Sequence, residues 1–471
     1  MKNLLLIGLF LLVTSVGYGQ DGNDSDVNQT GVDHFALTTQ DGSLNTGLQV
    51  QTGLSQDAYI YQTGVSNSAT QRQGSMISMG NYALSSQKGE SNWSSQDQTG
   101  FFTSFNEAFI YQDEYTAWGL PYPTFNRASQ TQRGTGNHAL ISQRKDRNDF
   151  GQDQEGKSNY AEAYAYNSDN FSRQLQKGNS NYSMVKLAGD ENVSNVEQEG
   201  NENYSYLRTV NGNLNEFLVD QNGNYNIATA EVAAGGDENK AVIVQDGESN
   251  KAGFNPSYSG DPGIFQDGDE NIGVIYQEGD FNDAQIKQVG DLNRAVEIQK
   301  GEANLARTNQ SGDYSKALQI QLGDENDAYI LQVGTGSGED DYNLAAQLQL
   351  GNDNLAGIAQ VGKGNIALQG QLGDDNLAGI AQMGADNTAL QGQMGTNVAG
   401  IFQLGTDNCA AQLQFGEDNT AITTQLGHFN ESLQLQTGTD NFSLHMQSGL
   451  GNSANTIQTG MSNVSHIFQS N

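Results

Sequence analysis

The stretch "QLGDDNLAGIAQMGADNTALQGQ" (371–393) decides the fold. Gln371 is followed by Gly373, Asn376 and Ala378, and Gln382 by Gly384, Asn387 and Ala389, so four residue types keep fixed offsets over an eleven-residue period. Eleven residues are too few for a helical hairpin and enough for one strand and one turn. In "NLAGIAQ" (354–360) Asn354, Ala356, Ile358 and Gln360 alternate and share one face of a strand, with Leu355, Gly357 and Ala359 on the other. Gly362 supplies the positive φ of a tight turn.

Outward from this stretch the motif Q-x-G-x-x-N-x-A-x-x-x-Q runs through Gln349, Gln360, Gln371, Gln382 and Gln393. It shortens once to Gln403 and resumes at Gln414, Gln425, Gln436, Gln447, Gln458 and Gln469. Backwards it reaches Gln266 and, near the start, Gln29, Gln40, Gln51 and Gln62. About 38 units fit between Gln29 and Gln469, which marks a solenoid. The residue two before the closing Gln alternates as Ile358, Gln369, Ile380, Gln391, Ile401, Gln412. Neighbouring units therefore occupy different surroundings, and the true period is about 22 residues: strand, turn, strand, turn. The fold class predicted is all-β, an amyloid-like β-solenoid of stacked two-strand rungs.

In-register stacking places Gln above Gln and Asn above Asn, where side-chain amides bond along the column. Ala lets the two sheets approach. The Asn/Ala/Gln face is placed inside. Towards the C-terminus Leu372, Met383, Met394, Leu404, Phe415 and Leu426 make the opposite face apolar too, which leaves open whether that face is also buried.

Composition agrees with a fold held by its backbone. The 471 residues are only 35% hydrophobic, with 57 Gly, 4 Pro and a net charge of -34. So acidic a chain repels phosphates, which argues against a nucleic-acid partner. Lys2, the apolar run Leu4–Val13 and the small residues before Gln20 read as a secretory signal peptide (1–19), followed by a short acidic leader (20–28). That run is shorter than the about 20 residues that span a bilayer, and no second one follows, so no transmembrane segment is expected in the mature chain. Cys409 is the only cysteine, so no intrachain disulfide is available.

The repeat region (29–471) is expected to carry loop insertions near 99–105, 113–125, 256–265 and 333–342. Pro121, Pro123, Pro256 and Pro262 all fall where the spacing slips, as expected of residues that cannot donate to a ladder. Between about 150 and 260 the Gln position holds Ala165, Leu187, Thr209 or Val232, and this region is expected to be the softest.

No cofactor, metal or catalytic residue is expected. Acidic pairs such as Asp324 and Glu325, Asp374 and Asp375, or Glu417 and Asp418 recur at turns and read as a solvated rim; the glycine-rich calcium nonapeptide is absent. Carboxylates do not converge once, as a glycan-cleaving cleft would need. His34, His138, His428, His445 and His466 are scattered without ligand spacing, and Cys409 reads as a small strand residue beside Ala410.

The motif resembles the curlin repeat of bacterial curli subunits, which build extracellular amyloid fibres. The resemblance implies stacking roles for Gln349, Gly351, Asn354, Ala356, Gln360, Gly362, Asn365, Ala367, Gln371, Gly373, Asn376, Ala378 and Gln382. It also implies templated addition at the ends, where Asn463, Val464, Ile467 and Gln469 form the last edge. The implied partners are copies of this chain, related curlin subunits and a curli-type outer-membrane secretion channel, and the implied location is a secreted, cell-surface fibre in a biofilm matrix. Familiar curlins have a handful of repeats and a longer leader; here "QDGNDSDVN" (20–28) alone separates the expected cut from Gln29. The alternative function is a monomeric solenoid adhesin that meets surfaces, matrix ligands or sugars through its loops, with Tyr115, Trp118, Tyr122 and Phe125 as an aromatic insertion.

Overall fold

The computed structural model describes residues 14–19, 22–75, 77–100, 102–112, 124–233, 235–253, 262–336 and 338–471. Met1–Val13, Pro121, Pro123, Pro256, Tyr115, Trp118 and Tyr122 lie outside the described residues, as does most of the expected signal peptide. The chain divides into two compact units, Met1–Leu214 and Asn215–Asn471. Each is a parallel β-solenoid with two strands per rung and about 22 residues per rung.

In the second unit, strands Leu355–Lys363, Leu377–Ala385, Asn397–Thr406, Asn419–His428 and Phe442–Leu450 stack in one parallel sheet. Strands Ile366–Leu372, Thr388–Met394, Cys409–Glu417 and Glu431–Thr439 stack in the other. The register places Gln360 beside Gln382 and Ala356 beside Ala378. The alternation of Ile and Gln is thereby explained. Ile358, Ile380 and Ile401 line one sheet, and Gln369, Gln391 and Gln412 line the other.

The first unit repeats the plan. Strands such as Asp149–Lys157, Phe171–Asn179 and Val193–Asn201 form one sheet, and His138–Gln143, Tyr160–Ala165, Tyr182–Leu187 and Tyr204–Thr209 the other. The backbone of Thr14–Gly19, at the end of the expected signal peptide, runs parallel to Phe35–Ser43.

Burial closes the question of which face is inside. Asn354, Ala356, Ile358 and Gln360 are buried, whereas Leu372, Met383, Met394, Leu404, Phe415 and Leu426 are exposed. The apolar outer column is solvent-facing, because the interior needs amides and small residues to let the sheets close. Within the stretch expected to be softest, the interior is filled differently. Ala165, Leu187, Thr209 and Val232 are buried within their units, so aliphatic and hydroxyl side chains occupy the place of the amide column.

Insertions lengthen turns without breaking the stack. Gln ladder partners are normally 22 residues apart, but the step is 34 from Gln98 to Gln132, 32 from Gln245 to Gln277 and 28 from Gln332 to Gln360. A further step of 25, from Gln73 to Gln98, reflects an insertion around Ser75–Ser78 that the spacing did not bring out. The insertion expected at 256–265 ends earlier, since Ile264 and Phe265 belong to strand Ile264–Asp267; Pro262 bridges Gly253 just before it. The one expected at 333–342 holds a 3-10 turn at Glu339–Asp341, and Val333–Gly334 still belong to the strand Asp327–Gly334.

Candidate assembly edge and amide ladders

Each motif residue answers one bonding need of the rung. Gln360 Nε2 donates to Gln382 Oε1 at 2.8 Å, and to the carbonyls of Asn365 at 2.9 Å and Leu344 at 3.0 Å. One amide thus ties its own rung to the next, to the following turn and to the opposite sheet. Gln349 does the same with Gln371 at 3.0 Å, and Gln371 with Gln393 at 3.1 Å. The second Gln of each alternate strand bridges the core, as Gln369 Nε2 donates to Gly357 O and Gln391 Nε2 to Gly379 O, both at 3.0 Å.

The Asn ladder runs the other way. The backbone N–H and Nδ2 of Asn376 both donate to Asn354 Oδ1, at 3.0 and 2.9 Å. Asn365 binds Asn343 Oδ1 likewise, and its Nδ2 also donates to Gly384 O at 3.0 Å. The motif Gly is fixed by the same arrangement. Gly362 has φ 119, and a Cβ there would collide with the Gly384 carbonyl of the next rung. Gly351 and Gly373 are likewise at positive φ with the next glycine close by. Ala356, Ala367 and Ala378 are buried. The residue just before the motif Asn is left-handed too, with φ 56 at both Asp375 and Asp386, a conformation that short polar residues tolerate best.

The acidic rim is more ordered than a solvated fringe. Asp291 Oδ1 accepts the backbone N–H of Asp269 at 2.9 Å, Asp313 Oδ1 that of Asp291 at 2.9 Å, and Asp374 Oδ1 that of Asn352 at 2.8 Å. These carboxylates cap turn donors from rung to rung. Among the described residues, no group of three or more His, Cys, Asp or Glu side chains is placed to hold a metal ion. Cys409 is an outward, exposed strand residue.

Two buried ionisable groups interrupt the inner columns. Glu297 sits between Ile275 and Gln319 in the ladder register and is fully buried; burial pushes its carboxyl up to about 8. His445 lies in the Ile column between Thr423 and Ile467, with Nδ1 at 2.8 Å from Ser432 Oγ and Nε2 at 2.7 Å from Thr456 Oγ1. Burial lowers it to about 4. Neither stood out in the sequence, because each occupies an ordinary strand position.

An outer aromatic column in the first unit was also missed. Phe35, Tyr59, Tyr82, Phe109, His138, Tyr160, Tyr182 and Tyr204 form an unbroken series with ring centroids 4.6 to 5.4 Å apart. Its signal was present as Asn-Tyr at 159–160, 181–182 and 203–204.

The last edge is open. Strand Val464–Ser470 pairs with Phe442–Leu450, and Ser453–Met461 with Glu431–Thr439; no further strand among the described residues covers either. Gln469 accepts from Gln447 at 2.9 Å and donates from Nε2 to Ser453 O at 2.8 Å. Asn463 donates to Asn441 Oδ1. Val464 and Phe468 are about two-thirds exposed, and Ile467 is partly exposed where Ile401, its counterpart in the column, is buried.

Two segments, 263–296 and 351–384, match the model of the curlin associated repeat. The chain carries curlin repeats. In both matched segments the amide ladders described above run through the repeat, from Gln266 to Gln288 and from Gln360 to Gln382. Curlin repeats are associated with extracellular curli fibres, and the family and its solenoid fold are structural. No curated protein is similar enough to this curlin-repeat chain to match it. Among the described residues no helix is long and apolar enough to cross a membrane.

Proposed function

We propose that this chain is a secreted structural subunit that assembles end to end into curli-like amyloid fibres for a biofilm matrix and adhesion, without catalysis or a cofactor. The observation that carries this reading is the polarity of the ladders. From Gln349 through Gln371 to Gln393, and from Gln403 through Gln425 and Gln447 to Gln469, every Gln donates to the Gln of the next rung, while in the Asn column each Asn donates back to the Asn Oδ1 of the preceding rung. A stack built this way ends in a Gln donor and an Asn acceptor on one side and in the complementary Gln acceptor and Asn donor on the other, so one copy continues another head to tail without new chemistry.

At the C-terminal end Gln469 retains a donor directed along the stack, and Val464–Ser470 offers an unpaired edge, the usual template for strand addition. In the first unit Gln29 Nε2 donates to Gln51 Oε1, so Gln29 contributes its Oε1 as the acceptor at the start of that ladder. Removal of residues 1–19 would free the edge of Phe35–Ser43 as well. Export through a curli-type outer-membrane channel, and co-assembly with related curlin subunits, belong to the same proposal.

The test is seeded growth. Val464→Pro with Ile467→Pro removes two ladder donors from the edge and distorts it. We expect the double variant to fail to elongate parental seeds at this end, whereas Gln469→Ala, which removes one amide, slows growth only severalfold. Elongation by the double-proline variant at the parental rate would overturn the assignment of this edge.

A further inference from the structure

The outer face of one sheet in the second unit carries no charge over six successive strands. From Leu355–Lys363 to Val464–Ser470, the outward residues between the turns are Leu, Val, Met, Phe, Ile, Gly, Ala, Thr, Ser and one His. Leu377 is 44% exposed and Met383 47%. Six strands at about 4.8 Å, each presenting about 23 Å of length, give a face of about 650 Å² in projection. Side-chain relief brings that near the ~800 Å² per partner of a stable interface. A continuous apolar patch of this size is unusual on a monomer.

The face is not uniform. Over its first three strands the two central columns are hollow, with Gly357, Gly379 and Gly400 beside Ala359 and Ala381; a Cβ built at any of these glycines meets nothing within 4 Å. Over the last three strands the same columns are raised, with Ile422, Leu444, Met446 and Phe468. We propose that this face is an interface between two copies of the chain, packed antiparallel about a twofold axis that runs along the strands between Asn397–Thr406 and Asn419–His428.

That operation sets each hollow against a ridge. Gly400 meets Ile422, Gly379 meets Leu444, Ala381 meets Met446 and Ala359 meets Phe468. The one large residue among the hollows, Phe402, meets Thr424, and Gly357 meets His466. A second copy is the fitting occupant because its rungs repeat at the same spacing and its relief is the inverse under the twofold, as a self-complementary interface requires. The same operation brings Asp375 near Asp440 at the rim, so added salt strengthens the pairing by screening them. The pairing is lateral and does not rest on end-to-end growth.

The test uses the full mature chain, residues 20–471, unseeded, by sedimentation velocity. The parent is expected to form a dimer, tighter at higher salt. Gly379→Leu fills the hollow while leaving the solenoid unstrained, and is expected to weaken dimerisation at least tenfold with an unchanged circular dichroism spectrum. Gly370→Leu, at an equally open position on the opposite sheet, adds the same apolar surface and should leave the dimer unchanged. In a Cys409→Ser background, Gly379→Cys mixed with Leu444→Cys should be joined by a short bismaleimide into a heterodimer, a contact that end-to-end growth does not create. A monomeric parent, or a Gly379→Leu variant that associates as well as or better than the parent, would overturn the proposal.

Discussion

The two units share an interior and differ in what they show to solvent. In Met1–Leu214 the outer face carries a column of stacked rings from Phe35 to Tyr204, interleaved with charged residues such as Glu107, whose carboxylate lies 3.1 Å from His138 Nδ1. In Asn215–Asn471 the residue after the motif Asn, which is Tyr160, Tyr182 and Tyr204 in the first unit, becomes the exposed Leu355, Leu377 and Val398, beside the open Gly357, Gly379 and Gly400. Inside, both keep Asn columns at the turns, but one Gln column of the first unit passes from Gln112 and Gln143 to Ala165 and Leu187, where the second keeps Gln360, Gln382 and Gln403. Stacking thus constrains the turn-facing positions in both units, tolerates aliphatic replacements in one inner column, and leaves the outer face to be specialised.

One strand holds both an inner constraint and an outer freedom, and substituting each should separate them most clearly. Gly362→Ala forces a Cβ into the Gly384 carbonyl at positive φ and should cost more than about 4 kcal/mol, read as loss of the folded fraction in denaturant. Gly357→Ala, five residues earlier, meets nothing and should change stability by less than about 0.5 kcal/mol or raise it. Similar costs for the two would refute the division into constrained and free positions.

Next comes Gln382→Leu, in the column where the first unit already holds Leu187. Leu here strands the Gln360 donor, the Gln403 acceptor and the carbonyls of Ile366 and Asn387. Burying those unpaired groups should cost about 3 kcal/mol by chemical denaturation. An aliphatic column is expected to be stable only when its neighbours above and below are aliphatic too.

The two buried ionisable groups of the second unit should give opposite pH slopes. With its folded value near 8 against an ordinary 4.5, Glu297 binds more protons in the folded state. Stability is therefore full below about 4.5 and falls as pH rises towards 8, by at most about 5 kcal/mol. Glu297→Gln should remove that slope and extend the Gln319–Gln347 ladder by one amide. His445 sits near 4 in the folded state, so its contribution is lost as pH falls from about 6.5 to 4. Hydrogen exchange at pH 4 to 8 would show the rungs around 297 opening at the alkaline end and those around 445 at the acid end.

The smallest effect belongs to the first unit's outer column. Tyr182 stacks on Tyr160 at 5.1 Å and Tyr204 at 4.7 Å, so Tyr182→Ala should cost about 1 to 2 kcal/mol locally. The removal of any one outer Leu from the second unit should cost the isolated chain less.

The legible part of the fold was the part with a short period. The alternation Ile358, Gln369, Ile380 gave two strands per rung, and Asn354 and Gln360 on one strand face gave an amide interior. The tertiary surroundings of individual positions were not legible. Leu187 looked like a lapse in the motif, because sequence does not show that its stacking neighbours are also aliphatic. Glu297 and His445 carry no local mark of burial, since only the register places them inside. Asp324 and Asp374 read as a charged rim because a carboxylate that caps a backbone donor 22 residues away has no signature within its own turn.

In end-to-end assembly, rungs of one copy continue into rungs of the next. Electron diffraction and imaging of purified residues 20–471, incubated with and without preformed seeds, test it most directly. The account predicts unbranched fibres with a meridional spacing of about 4.8 Å and seed-dependent lag times. A protein that stays dispersed in the presence of seeds, or forms fibres lacking that spacing along their axis, would contradict it.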